Sequence, residues 1–115
     1  MNQARILAAV AAGVTLCAAL PAAADDKVIF ENDRVRVLEV NYAPGTTHEM
    51  HTHPDHVVYA LGDAKVRMTG EDGKSSEAEI KKGGTRWQPA VTHKTENIGT
   101  TALRVVLVEL KEPAK

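Results

Sequence analysis

From residue 28 onward, the chain alternates between apolar and polar positions. Ala64, Val66 and Met68 share one parity, while Lys65, Arg67 and Thr69 hold the other. This is the two-residue period of a strand with one buried face. Residues 34–42 are rich in β-branched side chains and partly alternate, and residues 77–80 alternate again. Short apolar runs at 28–30 and 56–61, the stretch 85–88, and the strongly apolar run 102–110 read as further strands. Pro44-Gly45, the Gly70 to Gly73 stretch and Gly83-Gly84 supply turns between them. No segment after residue 24 carries a helical stripe. The pattern therefore predicts an all-β sandwich or barrel, in which closing the sheet hides strand edges and encloses an interior.

The first 24 residues follow different rules. Arg5 precedes an apolar run over 6–20, Pro21 ends the run, and Ala22-Ala23-Ala24 places small residues ahead of Asp25. This is the layout of a secretory signal peptide cut before Asp25. The fifteen-residue run is shorter than the ~20 residues that cross a bilayer, so cleavage rather than anchoring is expected. Two regions follow: a signal peptide at 1–24 and a single domain at 25–115. The expected location is periplasmic or secreted, with no membrane association after cleavage.

Charge and cysteine content narrow the partners. Residues 25–115 hold thirteen Lys and Arg against fifteen Asp and Glu, and no basic cluster marks a nucleic-acid surface. The sole cysteine, Cys17, leaves with the signal peptide. No disulfide then staples the domain in an oxidising compartment. So small a domain has a marginal core and relies on close packing, bound metal or a subunit interface.

The chemistry concentrates in the histidines. His48, His51, His53 and His56 are four of the five in the chain, and His93 lies in a later segment that reads as a strand. Residues i and i+2 of a strand face the same way, roughly 6.5–7 Å apart. The imidazoles of His51 and His53 can therefore converge on one ion at ~2.1 Å per bond. His93 would add a second chain segment. A straight strand would send His56 to the opposite face, but Pro54 breaks the ladder and Asp55 suits a turn, which allows His56 to swing back inward. His51, His53, His56 and His93 are the candidate ligands for a divalent transition metal: Fe, Zn, Ni, Cu or Mn. Candidate substrate-pocket residues are Tyr59, Met68, Trp87 and His48. His48 is expected at the barrel mouth, and Trp87 either in the pocket or filling core. Alternation from an inward Trp87 turns Arg86 outward. Arg104 and Glu109 are expected to mark the outer faces of the 102–110 strand.

Gly45, five residues, His51-Thr52-His53-Pro54 and then Val57-Val58-Tyr59 resemble the first motif of the cupin family. Gly83, five residues, Pro89, His93, three residues and Asn97 resemble the second. The resemblance covers residues 28–110. It implies a small jelly-roll barrel, commonly a homodimer, with a metal held by His51, His53 and His93. Three departures stand out. The slot usually filled by a glutamate ligand holds His56, Asp63 stands where the first motif has a later glycine, and Val91 stands near the glycine expected after Pro89. Replacing a carboxylate by a neutral imidazole leaves the full 2+ charge of the ion in the site, which favours a small anionic ligand.

Function stays open between classes at this level, because cupins host many chemistries. One reading is an enzyme with oxygenase, isomerase or hydrolase chemistry, of which an iron-dependent thiol dioxygenase is one version. A second is a metal- or ligand-binding module of the cell envelope without turnover. A third is a metal that only stabilises the fold.

Overall fold

The computed structural model describes residues 25–112. The signal peptide expected at 1–24 lies outside the described residues, and so does Cys17. Among the described residues, no helix is long and apolar enough to cross a membrane.

Nine strands follow in order: β1 (Asp25–Glu31), β2 (Val35–Tyr42), β3 (Thr47–His53), β4 (His56–Ala60), β5 (Ala64–Gly70), β6 (Ser75–Ile80), β7 (Thr85–Gln88), β8 (Val91–Asn97) and β9 (Leu103–Leu110). They form a five-stranded sheet ordered β1-β2-β9-β4-β7 and a four-stranded sheet ordered β3-β8-β5-β6. This is a jelly-roll sandwich: the alternation predicted a sandwich or barrel, and the cupin resemblance the jelly roll. Gly45, Gly73 and Gly83 turn the chain with φ of 84°, 82° and 81°, a region open to glycine at little steric cost.

The core lies between the sheets. Leu38, Val40 and Tyr42 of β2 face Ala64 and Val66 of β5, with Leu103, Val105 and Leu107 of β9 and Ala60 of β4 completing it. Asn97 is buried at one end. Its Nδ2 donates to the carbonyls of Tyr42 and Thr101, and its Oδ1 accepts from the Gly99 N–H. Every polar atom of this side chain is thus satisfied, which ties the end of β8 to β2.

Glu109 corrects one expectation. It is only 3% exposed and shares the inward parity of Leu103, Val105 and Leu107. Arg104 is exposed, as expected.

Candidate metal centre

Two local irregularities bring the histidines together. β3 pairs with β8 through His48↔Thr95 and His51↔His93, so three steps on β3 match two on β8. The extra residue is a bulge. It puts His48 and His51, which have opposite parity, on the same inner face. Their rings stack with centroids 3.7 Å apart. The second irregularity is Pro54-Asp55, where the chain leaves the four-stranded sheet and enters the five-stranded one. Asp55 fixes this corner by accepting the Ala90 N–H on its carboxylate and the Leu110 N–H on its carbonyl. His56 therefore faces the interior from the opposite sheet.

The donor atoms of His51, His53 and His93 lie within 4.8 Å of one another. Two nitrogens on opposite sides of one ion, each bonded at ~2.1 Å, stand ~4.2 Å apart. Small ring rotations therefore close the set, and the three residues can hold a metal. His56 is buried beside them, its ring centroid 5.1 Å from that of His53, but its donor atoms fall outside the close group of three.

The ring orientations are anchored from behind. His51 Nδ1 donates to the Glu49 carbonyl at 2.6 Å, and His56 Nδ1 donates to the Pro54 carbonyl at 2.8 Å. A carbonyl only accepts, so these Nδ1 atoms carry the proton and leave Nε2 free. His53 Nδ1 pairs with Glu109 Oε2 at 2.5 Å, and Glu109 Oε1 accepts Arg36 Nε at 3.1 Å. A carboxylate behind a ligand histidine fixes its tautomer and raises its basicity. Glu109 and Arg36 went unrecognised in the sequence. The available signal was one acidic residue at the parity of the apolar positions in β9.

Burial favours the uncharged forms of His53 and His93. It lowers the His53 pKa, with the Glu109 hydrogen bond acting in the opposite direction. Burial, reinforced by the four neighbouring imidazoles, lowers His93 to about 4. A cation at their centre therefore meets bare lone pairs at neutral pH rather than protons to be displaced.

A cavity of about 90 Å³ adjoins the cluster. His51, His53, His56 and His93 line one end. Val58, Met68, Ile80 and Leu107 are among its apolar walls, and Arg86 and Gln88 of β7 also face it. Met68 thus lines the pocket. Tyr59 and Trp87 do not. They stand on the outer face of the five-stranded sheet, 47% and 53% exposed. The cause is register: His56 pairs with Gln88 and Val58 with Arg86, and opposed residues share a face. The inward parity of β7 is therefore Arg86 and Gln88, the reverse of the expectation for Arg86. His48 sits one ring out from the cavity, bonded through Nδ1 to the Tyr42 hydroxyl, which donates to Asp26 Oδ1 at 2.8 Å. Burial and the neighbouring Asp26 raise the Tyr42 pKa, so this phenol stays protonated.

No family model matches the chain, and no curated protein does. Solved structures do. The chain is similar to a cupin domain from Bordetella pertussis, with 27% identity over 78% of this chain and 95% of that one and a TM-score of 0.73. It also resembles an RmlC-like cupin family protein with a double-stranded β-helix fold from Methanocaldococcus jannaschii, at 14% identity over 76% and 80% with a TM-score of 0.62. A cupin superfamily protein from Desulfitobacterium hafniense matches at 15% identity over 77% and 78%, with a TM-score of 0.59. The latter two bear on the fold alone.

Proposed function

Because this chain is a small cupin, we propose that it is a periplasmic or secreted protein that holds a divalent transition metal and binds or transforms a small anionic ligand there. The observation that carries the reading is the convergence of His51, His53 and His93, with the rings of His51 and His53 anchored from behind by the Glu49 carbonyl and the Glu109 carboxylate. All-imidazole donors suit iron, copper, nickel or zinc more than hard oxygen-seeking cations, with manganese the least suited of the candidate metals. Such an ion, held by His51, His53 and His93, would supply Lewis acidity. Among the described residues, no acidic side chain lines the cavity, and Glu109 is turned away onto Arg36 and His53. Nothing in the wall offsets the charge of the ion, which favours an anion.

Binding without turnover is the second reading. It is favoured by the phenol on the cavity wall, Tyr42, whose hydroxyl is already engaged by Asp26 and His48. An iron-dependent thiol dioxygenase remains the enzymatic version to test.

A further feature supports the setting. Phe30, Val37, Val108, Val57 and Trp87 form an apolar row across the outer face of the five-stranded sheet, suited to a homodimer interface.

The test is element analysis of protein recovered from the export compartment, set beside a His51→Ala, His53→Ala double variant. The expected result is about one transition-metal ion per chain in the wild type and less than a tenth of that in the variant, since two of three ligands are gone. Equal metal content in the two proteins would refute the site. Oxygen uptake with a panel of thiols then separates dioxygenase from binder.

A further inference from the structure

The cavity does not end at its walls. A second cleft is lined by Val58, Ile80 and Arg86, which also line the cavity, together with Glu79, Lys81 and Gly84. The cleft lies between β6 and β7, which are the terminal strands of their sheets. The interior therefore reaches solvent between these two edges, with Arg86 in the passage.

Arg86 is well suited to receive an anion there. None of the ion pairs among the described residues involves it. The acid nearest in the cleft lining, Glu79, pairs with Lys81 at 3.6 Å. Its strand neighbour Gln88, at the same parity, adds a neutral donor and acceptor on the same wall. Apolar side chains such as Val58, Met68 and Leu107 make up most of the remaining wall, with Tyr42 and Thr95 as its other polar residues. A guanidinium presents a planar fork of donors that matches a carboxylate.

We propose that Arg86 is the specificity-determining residue of the cavity and selects a short bifunctional acid. One carboxylate of the ligand docks on the Arg86 guanidinium at the β6–β7 opening. Its apolar stem lies along Val58, Met68 and Leu107, and its second oxygen-donor group reaches the histidine end. This deepens the reading of the site as a small-anion binder and rests on it for the histidine end only. The Arg86 end follows from the register of β7 and the passage alone. A ligand with a single acidic group satisfies one end and leaves the other to water. The cavity thus discriminates by the number and separation of acidic groups.

The experiment is isothermal titration of zinc-loaded protein with acetate, butyrate and succinate, in wild type, Arg86→Gln and Arg86→Lys, with Arg104→Gln as a control for bulk charge. Succinate is expected to bind at least about tenfold more tightly than butyrate, the scale of one charge-assisted bidentate contact. Arg86→Gln should erase that ratio, Arg86→Lys should keep part of it, and Arg104→Gln, on the outer face, should leave it intact. Zinc affinity should stay within about threefold in all variants, because none of the changed residues belongs to the close histidine group. An unchanged succinate-to-butyrate ratio in Arg86→Gln overturns the proposal, as does succinate binding no tighter than butyrate in wild type. The underlying anion reading fails separately: acetate that binds no zinc-loaded protein removes it, while succinate affinity that is lost on Arg86→Gln would still sustain the guanidinium contact.

Discussion

Two rows of the five-stranded sheet run side by side, one residue apart in each of four strands, and they invert the usual rule. The inner row reads Arg36, Glu109, His56 and Gln88. It faces the interior and is polar throughout. The adjacent outer row reads Val37, Val108, Val57 and Trp87, is continued by Phe30 on β1, and faces outward although it is apolar. Elsewhere in the same sheet the order is normal, with Leu38, Leu107 and Val58 facing inward one row along. A buried polar row costs free energy unless every group is paired. An exposed apolar row forgoes the gain of burial. Both departures from the rule coincide with the proposed sites: the ligand site inside and the association surface outside.

The comparison can be broken most directly at Glu109. Glu109→Ala leaves the His53 Nδ1 and the Arg36 guanidinium without their partner. We expect a loss of about 3 kcal/mol in urea unfolding, the lower end for a broken buried pair, because the Arg36 side chain is 44% exposed. The milder Glu109→Gln should weaken zinc binding by about 10- to 100-fold, as loss of an outer-shell carboxylate does. Unchanged zinc affinity in that variant would reduce the inner row to a purely structural network.

Acidity comes next. The folded-state pKa of His93 lies near 4, below its ordinary 6.5. Between those values the unfolded chain binds more protons at this residue than the folded one does, so stability falls as pH drops through that window. Metal-free protein should lose on the order of 2–3 kcal/mol between pH 7 and pH 4.5, read from urea midpoints. A His93→Gln variant should flatten the curve. A stability profile that rises on acidification would contradict the assignment of neutral buried imidazoles.

The outer row is tested by Trp87→Ser. It removes a half-exposed aromatic ring, so unfolding of the isolated chain should change by less than about 1 kcal/mol. Self-association measured by sedimentation equilibrium should weaken by at least about tenfold. A wild-type chain that stays monomeric at high concentration would deny the row any role in a homodimer. The smallest effect belongs to Tyr59→Phe. This hydroxyl stands on the same outward parity, and its loss should shift stability by less than about 0.5 kcal/mol and leave zinc and acetate binding untouched.

Much of this was legible along the chain. The turns at Pro44-Gly45 and Gly83-Gly84 and the strands at 64–69 and 85–88 follow from local composition and alternation, and the structure places strands there. The departure at Pro54-Asp55 was also visible, since a residue without an N–H cannot continue a ladder. The facing of β4 and β7 was not. In β4 both parities are apolar, Val58 and Ala60 against Val57 and Tyr59, so alternation gives no answer. In the four residues of β7, the one large apolar side chain pointed to the wrong face. The bulge in β3 was equally hidden, because nothing in His48-Glu49-Met50-His51 announces an extra residue against β8.

From the sequence alone came the strand pattern, the donor chemistry, and the two separate stretches of chain that supply it. The tertiary structure decided which parity of each strand turns inward, and with it that Glu109 is buried and Arg86 lines the cavity while Trp87 does not. The physical reason is that a two-residue period defines two faces without labelling either one. The label comes from the partner strand's register and from the opposing sheet, both set by residues distant in the chain.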